Sequence, residues 1–157
     1  MNLTAKVLTV SDGVFHGVRE DRSGVALMER LHDAGWAVEE RRVVADGIDS
    51  VSEALTNMAA GFAGLIVTTG GTGFGPRDLT PEGTKAVLER EAPGIAEAMR
   101  LANPKPGRLS RGTAGTRGTA LIINTPGSPK GCVECLDAVI DMIPHALSLM
   151  TGETTSH

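Results

Sequence analysis

Short apolar segments alternate along the chain with longer segments that are apolar on one side only. The short segments, residues 5–10, 38–44, 64–68 and 120–124, have the length and composition of β-strands. Residues 64–68 are nearly unbroken apolar sequence, which is typical of a strand covered on both faces. The pattern therefore predicts several buried strands separated by other elements.

The segments between these strands carry apolar side chains at helical spacing. Ser23, Thr80 and Ser128 each stand where a helix cap is favoured, and proline follows Thr80 and Ser128 as the first helical residue. Pro144 predicts a kink in the last helix. Residues 109–119, rich in Gly, Thr and Arg, are left open between a loop and a β excursion. The predicted helical stripes cover residues 25–35, 48–62, 80–88, 93–102 and 129–147.

Strands that alternate with helices through short loops predict an α/β fold. We expect a three-layer α/β/α sandwich with a mostly parallel central sheet. The 157 residues match the size of one ordinary domain. The prediction is a single domain over residues 1–150 and a polar tail over residues 151–157.

Composition excludes several classes of function. The net charge of −4 and the scarcity of aromatic residues argue against binding to nucleic acid. No apolar run approaches the roughly 20 residues of a membrane span, and the sequence starts without a signal for export, so we expect a cytoplasmic protein. Cys132 and Cys135 lack further ligands for zinc, and we interpret them as small buried side chains on one helix face, with a redox pair as the alternative.

Polar residues follow each of four predicted strands directly. In a parallel sheet the ligand crevice lies at the carboxyl ends of the strands, so we expect these segments to meet there. They are Ser11-Asp12, Asp46, Thr69-Gly70-Gly71-Thr72-Gly73 and Asn124-Thr125-Pro126-Gly127-Ser128.

The glycine-rich loop, residues 69–75, predicts an anion site, because backbone N–H groups can converge there without obstruction by side chains. It fits neither the phosphate-binding Gly-Lys-Ser/Thr motif nor the dinucleotide motif, and a plain tight turn is the alternative.

Asp46 and Asp78 flank this loop in the expected crevice and would suit Mg²⁺ beside a phosphate. Asp46 could instead cap a helix. Arg77 is either a phosphate contact or a solvated side chain. Ser128 is more readily a cap than a nucleophile.

Several of these segments together resemble the molybdopterin adenylyltransferase family of molybdenum cofactor biosynthesis, whose domain is also found in gephyrin. The resemblance spans nearly the whole chain, in matching order and spacing. It rests on Thr9-Val10-Ser11-Asp12, Asp21-Arg22-Ser23-Gly24, Thr68-Thr69-Gly70-Gly71-Thr72-Gly73, Pro76-Arg77-Asp78-Leu79-Thr80-Pro81-Glu82 and Ile122-Ile123-Asn124-Thr125-Pro126-Gly127-Ser128-Pro129-Lys130.

The resemblance implies an enzyme that transfers AMP from MgATP to the terminal phosphate of molybdopterin and releases pyrophosphate. It also implies a homotrimer that works with a molybdenum-insertion partner protein. The family's essential aspartates fall on Asp46 and Asp78, which would hold Mg²⁺. Its substrate and nucleotide contacts fall on Ser11, Asp12, Gly70, Gly71, Thr72, Gly73, Thr125, Pro126, Gly127 and Ser128.

Two departures from the family pattern, Gly47 after Asp46 and Phe74-Gly75 before Pro76, remove none of these residues. The short segment 107–118 also occurs in a sister branch of the family whose members need not have the transferase activity. Two alternatives are therefore kept: a molybdopterin-binding module without catalysis, and a nucleotide hydrolase or amidase on a related domain.

Overall fold

The computed structural model describes residues 2–153 and contains a six-stranded central sheet. Its strands are β1 (Thr4–Val10), β2 (Ala37–Val44), β3 (Gly64–Thr69), β4 (Arg90–Glu91), β5 (Ala114–Arg117) and β6 (Ala120–Thr125). They lie in the order β2-β1-β3-β6-β5-β4. The first four strands in this order are parallel, and β5 is antiparallel to both β6 and β4.

Helices cover both faces of this sheet. The helices are α1 (Asp12–Phe15), α2 (Arg22–Asp33), α3 (Ile48–Ala59), α4 (Thr80–Lys85), α5 (Pro93–Leu101), α6 (Pro104–Gly107), α7 (Pro129–Asp137) and α8 (Ile143–Met150). Side chains of α2, α5, α7 and α8 form one apolar core with the sheet, and those of α3 form a second core on the opposite face. The predicted three-layer α/β/α sandwich is confirmed.

Strand β3 shows why two cores form. All its residues are buried; Leu65 and Val67 belong to one core, whereas Ile66, between them, belongs to the other. Side chains alternate across a strand, so a strand covered on both faces carries apolar residues at successive positions and not at every second one. The unbroken apolar run in the sequence was therefore a correct signal for the centre of the sheet.

Two predicted helix caps are wrong. Asp21, not Ser23, caps α2, because its Oδ1 accepts a hydrogen bond from Gly24 N at 3.0 Å. Thr80 is the first residue of α4 instead of its cap, and its hydroxyl donates to the buried carbonyl of Gly70 at 2.9 Å. A buried carbonyl without a hydrogen-bond partner costs more free energy than a helix N–H group that water can reach. The Thr80 hydroxyl therefore binds the carbonyl of Gly70 and does not cap the helix. The predicted cap at Ser128 is confirmed, since its Oγ accepts from Gly131 N at 2.9 Å.

Other differences concern short elements. The predicted loop after β1 contains the four-residue helix α1, and the open segment 109–119 contains β5. The last predicted helix is two helices, α7 and α8, and α8 begins one residue before Pro144. Of the predicted tail, residues 154–157 lie outside the described part of the chain.

The two cysteines are free thiols, as the interpretation of small buried side chains requires. Cys132 is fully buried, with its thiol 3.7 Å from the carbonyl oxygen of Ser23, and Cys135 is partly buried. Burial raises the pKa of Cys132 to about 12 and that of Cys135 to about 11, so neither forms a thiolate readily at neutral pH. Within residues 2–153, no helix is both long and apolar enough to cross a membrane.

Candidate active site

Four polar loops meet at the carboxyl edge of the sheet. The register pairs Thr9 with Thr69 and Thr69 with Thr125, and it pairs Val10 with Val44. The loops that follow β1, β2, β3 and β6 therefore start side by side. The convergence expected from the sequence is confirmed.

The turn after β3 can be made only by glycine. Gly70 and Gly71 have φ values of +97° and +68°, in the left-handed region that other residues avoid. A Cβ on Gly70 would overlap the carbonyl oxygen of Val10, and one on Gly71 would overlap the hydroxyl of Thr80. The same added Cβ on Gly71 would lie 3.2 Å from Asp46 Oδ1. The backbone of this turn therefore approaches Asp46 closely.

Backbone N–H groups of this turn are partly available to a ligand. The N–H of Gly70 donates to the carbonyl of Thr125 at 3.1 Å, so it is already engaged. In the described part of the chain, the N–H groups of Gly71, Thr72 and Gly73 donate no hydrogen bond. Three successive amides of this kind form a cradle suited to an anion. The N–H group of Gly70 is therefore not available to a ligand, and of the other three residues Gly71 lines the cavity between the four loops.

Asp46 is held by a reciprocal pair of hydrogen bonds with Asp12. Asp12 N donates to Asp46 Oδ2 at 2.8 Å, and Asp46 N donates to Asp12 Oδ1 at 3.1 Å. Burial raises the pKa of Asp46, and the neighbouring charges of Asp12 and Asp78 add to this effect. Asp46 Oδ1 accepts no hydrogen bond from any described residue. One oxygen therefore fixes the side chain and the other is available.

Asp78 repeats this arrangement on the other side of the cleft. Its Oδ2 accepts a hydrogen bond from Gly75 N at 2.9 Å, and it would lie 3.1 Å from a Cβ added to Gly73 and 2.8 Å from one added to Gly75. Asp78 Oδ1, like Asp46 Oδ1, accepts none within residues 2–153. The structure thus presents two carboxylates, each oriented by a backbone amide and each with a free oxygen.

Asp12 is engaged by Arg77 and does not line the cleft. The Arg77 side chain donates from Nε to Asp12 Oδ2 at 2.6 Å and from Nη2 to the carbonyl of Asp46 at 2.9 Å. The hydrogen bond to Arg77 lowers the pKa of Asp12. Arg77 therefore ties the glycine loop to the Asp12–Asp46 pair, a role that neither of its sequence interpretations included.

Arg111 holds the other end of the glycine loop. Its guanidinium donates to the carbonyls of Gly73 at 2.8 Å and Asp78 at 2.5 Å, and it pairs with Glu82 at 2.7 Å. Arg111 N also donates to the carbonyl of Thr72. The loop is consequently fixed by charge-assisted hydrogen bonds on both sides.

The cleft between these loops is a cavity of about 350 Å³. Of the residues predicted from the sequence, six line it: Ser11, Asp46, Gly70, Gly71, Asp78 and Gly127. Thr69, which was expected at this crevice as part of the glycine-rich loop, also lines it. The other lining residues were not predicted from the sequence: Thr9, Val10, Val14, Arg19, Glu20, Arg22, Ser23 and Pro129.

The remaining predicted residues lie outside this cavity. Thr125 is buried and its hydroxyl donates to the carbonyl of Thr68 at 2.8 Å, and Thr72 is also buried. Gly73 lies next to the carboxylate of Asp78, whose Oδ2 would be 3.1 Å from a Cβ added to Gly73. Pro126 and Ser128 face a second cavity of about 180 Å³, which lies across the β6–α7 turn and is lined mainly by apolar surface of α5, α6 and α7. The turn Pro126-Gly127-Ser128 therefore separates a polar cavity from an apolar one.

Within residues 2–153, no group of three or more His, Cys, Asp or Glu side chains could hold a metal ion. Two carboxylates with one free oxygen each are nevertheless a donor set that suits Mg²⁺, which binds few protein ligands and takes its other ligands from water and phosphate. Zn²⁺, by contrast, would require nitrogen or sulfur ligands as well.

A mostly parallel three-layer domain with a polar cleft at the carboxyl ends of its strands has the architecture of proteins that bind nucleotides and related phosphorylated molecules there. A family model described as a probable molybdopterin binding domain matches residues 6–145, and the chain belongs to that family.

Relatives of known name agree with this assignment. The chain is 43% identical over 152 residues to a molybdopterin adenylyltransferase of Helicobacter pylori strain J99, covering 93% of this chain and 86% of the relative. It is 34% identical over 164 residues to the molybdopterin adenylyltransferase of Escherichia coli K12, with 93% and 84% covered. The crystal structure of the molybdopterin biosynthesis enzyme MoaB from Thermus thermophilus superimposes with a TM-score of 0.89 at 45% identity, with 98% and 99% covered.

Proposed function

We propose that this protein is a molybdopterin adenylyltransferase. An oxygen of the terminal phosphate of molybdopterin attacks the α-phosphorus of ATP, the bond from that phosphorus to the β-phosphate bridging oxygen breaks, and pyrophosphate leaves. The observation that carries the proposal is the pair of aspartates, Asp46 and Asp78, each with one fixed and one free carboxylate oxygen in the same cleft. Relatives named for this activity support it.

The reaction brings two phosphate groups together, and their mutual repulsion is strong where water is scarce. A Mg²⁺ ion bound with ATP would neutralise part of this charge. We propose that the free oxygens of Asp46 and Asp78 hold that ion. The free N–H group of Gly71, which lines the same cavity, then binds a phosphate oxygen and helps to align it.

The two cavities fit a substrate with two kinds of surface. Phosphate groups belong in the polar cavity beside Asp46, and a planar organic group belongs in the apolar cavity beyond Gly127. Ser128 caps α7 through its Oγ, so it serves the turn between the cavities and is not the attacking group. A homotrimer, a molybdenum-insertion partner and a cytoplasmic location complete the proposal by analogy with the family.

The test is incubation of the purified protein with molybdopterin, ATP and Mg²⁺. Adenylylated pterin and pyrophosphate should appear in equal amounts. Asp78→Asn should abolish both products without unfolding the protein, because the amide keeps the shape and loses the charge. Asp141→Asn is the matched control, since Asp141 is exposed and lies away from both cavities.

Other outcomes separate the alternatives. Tight binding of molybdopterin without release of pyrophosphate would identify a binding module and contradict the transferase. Release of phosphate or ammonia in place of adenylylated pterin would identify a hydrolase or amidase. Full activity of Asp78→Asn would show that the cation lies elsewhere.

A further inference from the structure

Two arginines in the polar cavity have no partner for their charge in the described part of the chain. Within residues 2–153, the side chains of Arg19, Arg22 and Arg90 form no hydrogen bond or ion pair, and Arg19 and Arg22 both line the polar cavity. The other arginines pair with carboxylates or donate to carbonyls: Arg30, Arg41, Arg42, Arg77, Arg100, Arg108, Arg111 and Arg117.

The position of Arg19 is set by Gly13 in α1. A Cβ on Gly13 would lie 2.7 Å from Arg19 Nε and 3.0 Å from Nη2, so the guanidinium lies directly against the glycine backbone. The carbonyl of Gly13 also accepts hydrogen bonds from the N–H groups of Val18 and Arg19, at 2.9 and 3.1 Å. The loop between α1 and α2 therefore folds back on α1. This places the Arg19 guanidinium in the lining of the polar cavity, together with Ser11 and Val14.

Charges around the cavity indicate what these arginines bind. The lining carboxylates are Asp46, Asp78 and Glu20, and the lining cations are Arg19 and Arg22. A divalent cation between Asp46 and Asp78 would neutralise that pair, leaving the two arginines, with Glu20, to face an incoming anion. A phosphate monoester carries about two negative charges near pH 7, and a triphosphate carries more. The two positive charges of Arg19 and Arg22 therefore match a triphosphate better than a phosphate monoester.

We propose that Arg19 and Arg22 bind the β- and γ-phosphates of ATP and hold the pyrophosphate as it leaves. The inference rests on the transferase function proposed above. The arginines contact the phosphates farther from the aspartates, while the N–H group of Gly71 contacts the phosphate nearer to them. Guanidinium groups suit this role because they donate several hydrogen bonds to phosphate oxygens at once.

The test is calorimetric titration with inorganic pyrophosphate and Mg²⁺, which needs no molybdopterin. Arg19→Gln and Arg22→Gln should each raise the Kd for pyrophosphate several-fold, and the double variant should raise it by about tenfold or more. Arg90→Gln is the matched control, because Arg90 is an exposed arginine whose side chain has no partner among residues 2–153, and it lies in β4, at the opposite edge of the sheet from β2 and away from both cavities. An unchanged Kd in the double variant, or an equal loss in Arg90→Gln, would overturn the proposal.

Gly13→Ala tests the position of Arg19 without removing its charge. The added methyl group displaces the guanidinium, which can move because it ends a flexible side chain, so the protein should stay folded while pyrophosphate binding weakens. Wild-type affinity in Gly13→Ala would contradict the proposed position of Arg19.

Two further measurements identify the phosphate and separate this proposal from the proposed function. Titration with a phosphate monoester should show little difference between the wild type and the double variant; an equal loss for both ligands would assign the arginines to the pterin phosphate and overturn the assignment to ATP. In turnover, KM for ATP should rise in the double variant while KM for molybdopterin stays the same. A wild-type protein that makes no adenylylated pterin would contradict the transferase, whereas the pyrophosphate titrations still decide the role of the arginines.

Discussion

Gly71→Ala should lower both the stability and the activity of the protein. The loss in free energy of unfolding can be worked out from the contacts of Gly71. Gly71 has a φ of +68°, and a residue with a side chain costs about 1–2 kcal/mol in that region. The new Cβ would also overlap the hydroxyl of Thr80, which donates to the carbonyl of Gly70 at 2.9 Å in a buried setting. Loss of that hydrogen bond costs about 1–3 kcal/mol. The total, about 2–5 kcal/mol, corresponds to a fall in Tm of about 10 °C in a domain of this size.

Gly61→Ala separates the two contributions. Gly61 has a φ of +64°, but nothing lies within 4 Å of a Cβ added there, so only the backbone cost of about 1–2 kcal/mol applies. Urea unfolding of both variants, followed by circular dichroism, measures the difference in free energy of unfolding. Gly71→Ala should also lose turnover because its Cβ crowds Asp46, while Gly61→Ala keeps it. Equal stability of the two variants would refute the argument from close approach.

Three further predictions concern Asp46 and Asn124. Because burial raises the pKa of Asp46 in the folded state, its ionised form lowers stability at pH values above that pKa, and the penalty disappears as the pH falls below the pKa of the unfolded chain. Asp46→Asn should therefore raise Tm at pH 7 in a thermal scan while abolishing turnover; a fall in Tm would contradict this. For the same reason, the acid limb of the kcat/KM profile, which reports the enzyme free of substrate and cation, should lie above the pKa of an ordinary aspartate, and a limb at or below that value would count against burial of Asp46 as the dominant effect. Asn124→Leu should lower the free energy of unfolding by about 3 kcal/mol or more, because two buried hydroxyls and one backbone N–H lose their partner, and a loss below about 1 kcal/mol would refute that count.

The sequence predicted the layers of the fold because burial on both faces requires a run of apolar residues, and such runs are visible without coordinates. It also predicted that the loops at Ser11, Asp46, Gly70 and Gly127 meet, because parallel strands bring their carboxyl ends to one edge. Both predictions depend on the period and direction of strands. Neither depends on the contacts of an individual side chain.

The features that were missed depend on such contacts. Nothing in the spacing of residues 11–23 shows that the loop folds back on Gly13, so Arg19 and Arg22 could not be placed beside the aspartates. Thr80 has the sequence features of a helix cap, but its hydroxyl has a buried carbonyl within reach, and that contact joins residues ten positions apart. The pairing of Asp12 with Arg77, which lies 65 positions away, was likewise not visible in the sequence.

The structure also explains how an unfavourable site is kept in place. Two carboxylates near one another, glycines with positive φ and N–H groups without partners all reduce stability where they occur. Each of them is adjacent to a strong fixed contact: Asp46 to the Asp12–Arg77 pair, the glycine turn to the Thr80 hydroxyl, and the far side of the loop to Arg111. Because Asp46 and Asp78 are each held through Oδ2, their Oδ1 atoms and the free N–H group of Gly71 remain for a ligand. Substitution of Arg111, which fixes the glycine loop through the carbonyls of Gly73 and Asp78, should therefore weaken ligand binding even though Arg111 lines neither cavity.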